Sequence, residues 1–145
     1  MSVESRIASL LRVAHEDLAG ARILAAANNR NAIYLCEQAA EKIIKSVLTS
    51  EGRHVGIKHD LDVLVDTVPD DNPVKPQLRD LEFLTAYATS YRYPTDEGRI
   101  RTVRREHRVQ DAIDKVAAAL TEVAAGFGVD LDHPNAPARR IGPLR

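Results

Sequence analysis

The run RIRTVRREHR, residues 99 to 108, concentrates the chemistry of this chain. It holds Arg99, Arg101, Arg104, Arg105 and Arg108, with His107 embedded among them. Arginine presents a planar fork of donors that meets phosphate oxygens two at a time. The pattern predicts that this run opens a helix, where unpaired backbone N–H groups also favour anions. Cations at a helix N-terminus oppose the macrodipole, so a purely structural reading must explain a poor placement. The other reading is a solvated face whose arginines pair with Asp96, Glu97 and Glu106. Composition alone leaves both open.

Other chemistries find no residues. The sequence has no Gly-rich phosphate loop, no Cys pair for zinc and no HExxH. His15, His54, His59, His107 and His133 share no metal-ligand spacing, so neither metal nor cofactor is expected. His15 reads as a surface residue. His59 reads as support for a helix start at Asp60, with catalysis as the alternative. Cys36 is the one cysteine and lies on an apolar row, which predicts a buried, inert thiol. A net charge of −1 excludes the whole molecule as a polyanion binder. The charge is uneven: residues 1–98 carry 11 Lys+Arg against 15 Asp+Glu, and 99–145 carry 9 against 6. No signal peptide and no membrane span are expected, which points to the cytoplasm.

The elements that must position these groups are helices. Residues 31 to 50 contain no Gly or Pro and mostly strong helix formers. Ala32, Leu35, Ala39, Ile43 and Val47 form one apolar row, and Ile33, Cys36, Ala40, Ile44 and Leu48 a second. Such a rod needs cover on at least two sides. Glu37, Gln38, Glu41, Lys42 and Lys45 are expected to form a polar strip, with Glu41 to Lys45 a favourable pair. Residues 3 to 27 form the preceding helix, started by Ser2, and a short loop at 28 to 30 makes the two a hairpin. A loop at 51–58 leads to a short helix at 60–68. Helices are then expected at about 75–90 and 102–126. Arg92 is expected to be structural, pairing with a carboxylate such as Glu37 or Glu41, with a functional role as the alternative. Residues 129 to 145 lack helical period and hold three Pro, so they read as an extended or disordered tail. The fold class is all-α: an up-and-down bundle of four main helices plus one short helix over 1–128. With few aromatics, such a unit is expected to leave an apolar face uncovered and to dimerise.

Three motifs stand in order: Gln38-Ala39-Ala40-Glu41-Lys42-Ile43-Ile44-Lys45, then Lys58-His59-Asp60-Leu61 with Leu64, then Ser90-Tyr91-Arg92-Tyr93-Pro94. Together they resemble the HEPN (higher eukaryote and prokaryote nucleotide-binding) domain family over residues 8 to 125. The resemblance implies a helical bundle that is usually a homodimer. Many relatives resemble metal-independent endoribonucleases, often toxins paired with a nucleotidyltransferase antitoxin. Their motif of Arg, four to six residues, then His is matched by Arg101 and His107; where many carry Asn or Asp just after that Arg, this chain has Thr102. What this implies is attack of a ribose 2′-hydroxyl on the adjacent phosphate. His107 would move protons and Arg101 would stabilise the phosphorane. Arg99, Arg104, Arg105 and Arg108 would hold RNA phosphates. The family equally implies noncatalytic modules that bind nucleotide or dock a nucleotidyltransferase.

Overall fold

The computed structural model describes residues 1–54 and 56–145; the expected 51–58 loop includes residue 55, which lies outside the described residues. Among the described residues the chain is all-helical, with five α-helices and no strand. Helix α1, Val3–Ala26, starts where the Ser2 hydroxyl accepts the Ser5 N–H at 3.2 Å. Helix α2, Asn31–Ser50, runs back along it. Gly20 marks their closest approach: a Cβ there would stand 2.9 Å from Leu35 Cδ1. Helix α5, Val109–Phe127, packs against both, and α2 also meets α3, Leu61–Thr67.

The rod is thereby wrapped. Both apolar rows of α2 are buried apart from half-buried Leu35. The polar strip is only partly polar in its setting, because Glu37 and Glu41 are buried as well. The Glu41–Lys45 pair forms at 2.7 Å. Cover for α2 comes from a single chain, and the exposed large apolar side chains lie elsewhere, including Val3, Val13 and Ile23 on α1 and Ile100.

The expected helix at 75–90 is instead three short pieces. Helix α4, Lys75–Arg79, gives way to 3-10 turns at Glu82–Tyr87 and Ser90–Arg92. Leu78, Leu81, Leu84 and Tyr87 recur every third residue, and all four are buried. A period of three keeps them on one face only if the chain winds more tightly than an α-helix. The backbone does so, with Leu81 N to Leu78 O at 3.0 Å and Leu84 N to Leu81 O at 3.1 Å.

Helix α5 also begins later than the expected residue 102, at Val109. Arg108 is extended, and the arginine run forms the loop before the helix. The guanidinium groups thereby avoid the first turn, which holds Asp111 instead. At the other end Gly128 takes a left-handed φ of 62° and closes the helix. Residues 129–145 form no helix or strand and pack against the bundle. Arg139 N and Arg140 N both donate to Phe127 O, Ala138 N donates to Glu4 O, and Leu144 is buried.

Candidate functional site

The loop of residues 99–108 is held from beneath by two tyrosines. Tyr87 and Tyr91 meet edge to face, ring centroids 5.0 Å apart. Their four-residue spacing is visible in the sequence; their role as the loop's support is not. The Tyr87 hydroxyl accepts the Arg104 N–H at 3.1 Å and bonds His107 Nδ1 at 2.5 Å. The His107 N–H donates to Arg104 O at 3.0 Å, which closes a tight turn over the phenol. Phe83 packs against the imidazole, centroids 4.9 Å apart. Desolvation raises the Tyr87 pKa above its ordinary value, which keeps the phenol protonated.

This geometry orients one imidazole. With Nδ1 on Tyr87, Nε2 is the free ring nitrogen, and it is not among the buried polar atoms lacking a partner. It therefore reaches solvent. His107 lines an open groove of about 440 Å³ together with Phe83, Arg108 and Lys115. Asp80, Glu106, Asp111 and Arg79 complete the groove, so its charge is mixed. Arg79 is already occupied by Asp66 at 2.7 Å and Glu82 at 2.5 Å.

Arg101 sits differently. Arg30 spans the gap below it, stacked 4.2 Å from the Tyr91 ring centroid. Arg30 Nε donates to Arg101 O at 2.9 Å, and its terminal nitrogen donates to Tyr91 O. Tyr91 returns a bond from its hydroxyl to Arg30 O at 2.9 Å. Arg101 is half-buried, and its Nε is buried without a protein partner. It does not line the groove that His107 lines. Arg99, Arg104, Arg105 and Arg108 are exposed. None of these four forms an ion pair with Asp96, Glu97 or Glu106 among the described residues.

Two expectations are corrected. Arg92 contacts no carboxylate among the described residues; it lies over the Tyr34 and Tyr93 rings, 5.0 and 5.7 Å from their centroids. His59 does not cap helix α3, whose first N–H, that of Leu61, donates to Thr85 Oγ1 at 3.0 Å. His59 Nδ1 instead bonds the buried Glu41 carboxylate at 2.6 Å. Cys36 is fully buried, and burial pushes its thiol up to about 12, so it is inert as read.

No cluster of His, Cys, Asp and Glu suited to a metal ion occurs among the described residues. No helix among them is long and apolar enough to cross a membrane. The family model described as HEPN domain matches residues 7–125, most of the chain. Comparison with curated proteins and with solved structures gives no match.

Proposed function

Because the chain belongs to the HEPN domain family, a helical family of nucleotide-binding and RNase type, we propose that it is a metal-independent endoribonuclease centred on His107. The observation that carries this reading is the Tyr87–His107 bond, which fixes an imidazole with one nitrogen open beside exposed arginines. When Nδ1–H donates to the phenol oxygen, Nε2 is a base. It takes the proton of a ribose 2′-hydroxyl as that oxygen attacks the adjacent phosphorus. The bond from phosphorus to the 5′-oxygen then breaks, and the imidazolium returns its proton to the leaving oxygen. The products are a 2′,3′-cyclic phosphate and a 5′-hydroxyl end. Arg104, Arg105 and Arg108 hold flanking phosphates, with Arg99 further along the loop. Arg101 serves the phosphorane if RNA draws its half-buried guanidinium toward the groove. In this reading the active form is a homodimer with two such loops, a toxin restrained by a nucleotidyltransferase antitoxin in the cytoplasm.

Incubation with end-labelled RNA in the presence of chelator, between about pH 6 and 8, tests this. Cleavage to cyclic phosphate ends is expected, with a loss of about 10²–10⁴-fold in His107→Ala. Tyr87→Phe is expected to lose about tenfold, since the ring is then held by packing alone. Absence of cleavage across that range, or full activity in His107→Ala, removes the reading.

A second reading rests on a separate observation, that Arg101 does not share the His107 groove. In that case the chain is a noncatalytic module that binds nucleotide or docks a nucleotidyltransferase. Its mark is tight binding of such a partner by a chain that cleaves nothing.

A further inference from the structure

The three sequence motifs converge away from the arginine loop. Arg6 of α1, Gln38, Glu41 and Lys42 of α2, His59, and Arg92 line a groove of about 380 Å³. That volume lies in the range of small-molecule sites. Its charges are arranged in two tiers. Lys42 is neutralised by Asp17 at 2.7 Å, and Lys45 by Glu41 at 2.7 Å. Glu41 is further occupied by His59 Nδ1, so this carboxylate presents little free charge to a ligand. Arg6 and Arg92, by contrast, form no ion pair among the described residues.

Arg92 has aromatic rather than acidic neighbours. Its guanidinium carbon lies 5.0 Å from the Tyr34 ring centroid and 5.7 Å from that of Tyr93, contacts that leave its N–H groups available to an anion. Thr89 lies on the same groove and adds a hydroxyl. The Glu41 carboxylate fixes His59 with Nδ1 as donor and leaves Nε2 as its free nitrogen. Next to Gln38, Glu37 is fully buried; one of its oxygens accepts Gln38 Nε2 at 2.8 Å and the other has no protein partner. Burial lifts Glu37 to about 7, so it contributes less than a full negative charge beside the groove.

We propose that this groove binds a phosphate monoester, with its dianionic end on the fork of Arg92 and the guanidinium of Arg6. Thr89, the second N–H of the Gln38 amide and the Lys45 ammonium, which spends one donor on Glu41, supply the remaining hydrogen bonds. The site is separate from the His107 groove and does not rest on RNA cleavage.

Two-dimensional amide spectra of the intact chain, titrated with inorganic phosphate, ribose 5-phosphate and adenosine 5′-monophosphate, test it. Saturable shifts at Tyr34, His59 and Thr89 are expected, with a Kd of about 1 mM or tighter for at least one probe. Arg92→Ala should weaken that binding by about tenfold or more, and Arg92→Lys by less, because the charge returns without the fork. Arg92 is exposed, so both variants should keep the parent spectrum. Tighter binding of ribose 5-phosphate than of phosphate identifies a sugar phosphate; a further gain with the nucleotide identifies a base-bearing ligand. Shifts confined to residues 99–108, no saturation by any probe, or unchanged affinity in Arg92→Ala overturns the proposal.

Discussion

Glu37 gives the molecule a pH dependence between mildly acidic and neutral conditions. Its carboxyl is fully buried, and desolvation lifts it from the ordinary 4.5 to about 7. Gln38 opposes that rise by donating a hydrogen bond, and the neighbouring Glu41 charge adds to it. The folded chain therefore holds this proton more tightly than the unfolded chain does. Stability linked to it is complete below about pH 4.5 and is lost as the pH rises through about 7. A shift of that size amounts to about 3 kcal/mol. In Glu37→Gln the stability difference between pH 5 and 8 should shrink by about 2–3 kcal/mol. Urea unfolding of both proteins at each pH measures it, and an unchanged difference places the proton elsewhere. From sequence Glu37 belonged to a solvated strip, because helical spacing puts it beside Gln38 and Glu41. Spacing gives angle around α2 but not how far its neighbours reach around it. The same limit hid Arg92, whose partners are aromatic rings rather than a carboxylate. Cys36 was legible because it lies inside an apolar row, where angle alone decides.

At the scale of elements, the long periodic helices and the short helix expected at 60–68, found as Leu61–Thr67, were readable, and the segment from α4 to Arg92 was not. Helices α1, α2 and α5 bury stripes that repeat at helical spacing. The segment from α4 to Arg92 repeats every third residue, which an α-helical template absorbs without revealing the tighter turn. The start of α5 was placed early, at about 102, because the arginines read as the opening of the helix, although the helix begins at Val109. Their unfavourable charge at a helix N-terminus was the better guide. The packing of residues 129–145 was not visible in the sequence for another reason: several of its anchors are backbone hydrogen bonds, which leave no side-chain pattern. Leu144 adds a side-chain anchor. It packs over Gly126, where a Cβ would come within 2.8 Å of Leu144 Cδ2. Arg145 then bridges Glu51 at 2.7 Å and Asp71 at 3.0 Å. Leu144→Ala should cost about 2–3 kcal/mol and speed protease cleavage between residues 129 and 145. Cleavage at the parent rate would mean that the tail contributes nothing to the bundle.

The whole molecule bears a net charge of −1, so any RNA affinity must come from a local patch. Arg104, Arg105 and Arg108 are exposed on one short loop whose shape Tyr87 and Arg30 impose. Three phosphate contacts on single-stranded RNA release counterions with a slope of about −2 in log affinity against log salt. Raising salt from about 50 to 200 mM should then weaken RNA binding about fifteenfold. A chain with all three arginines replaced by Gln should bind weakly with a nearly flat slope. Replacing Arg6 and Arg92 instead should leave the slope as it was, since those two serve a different groove. A flat slope in the parent protein would show that RNA is not held by this loop. His107, however well oriented by Tyr87, would then have no phosphodiester to act upon.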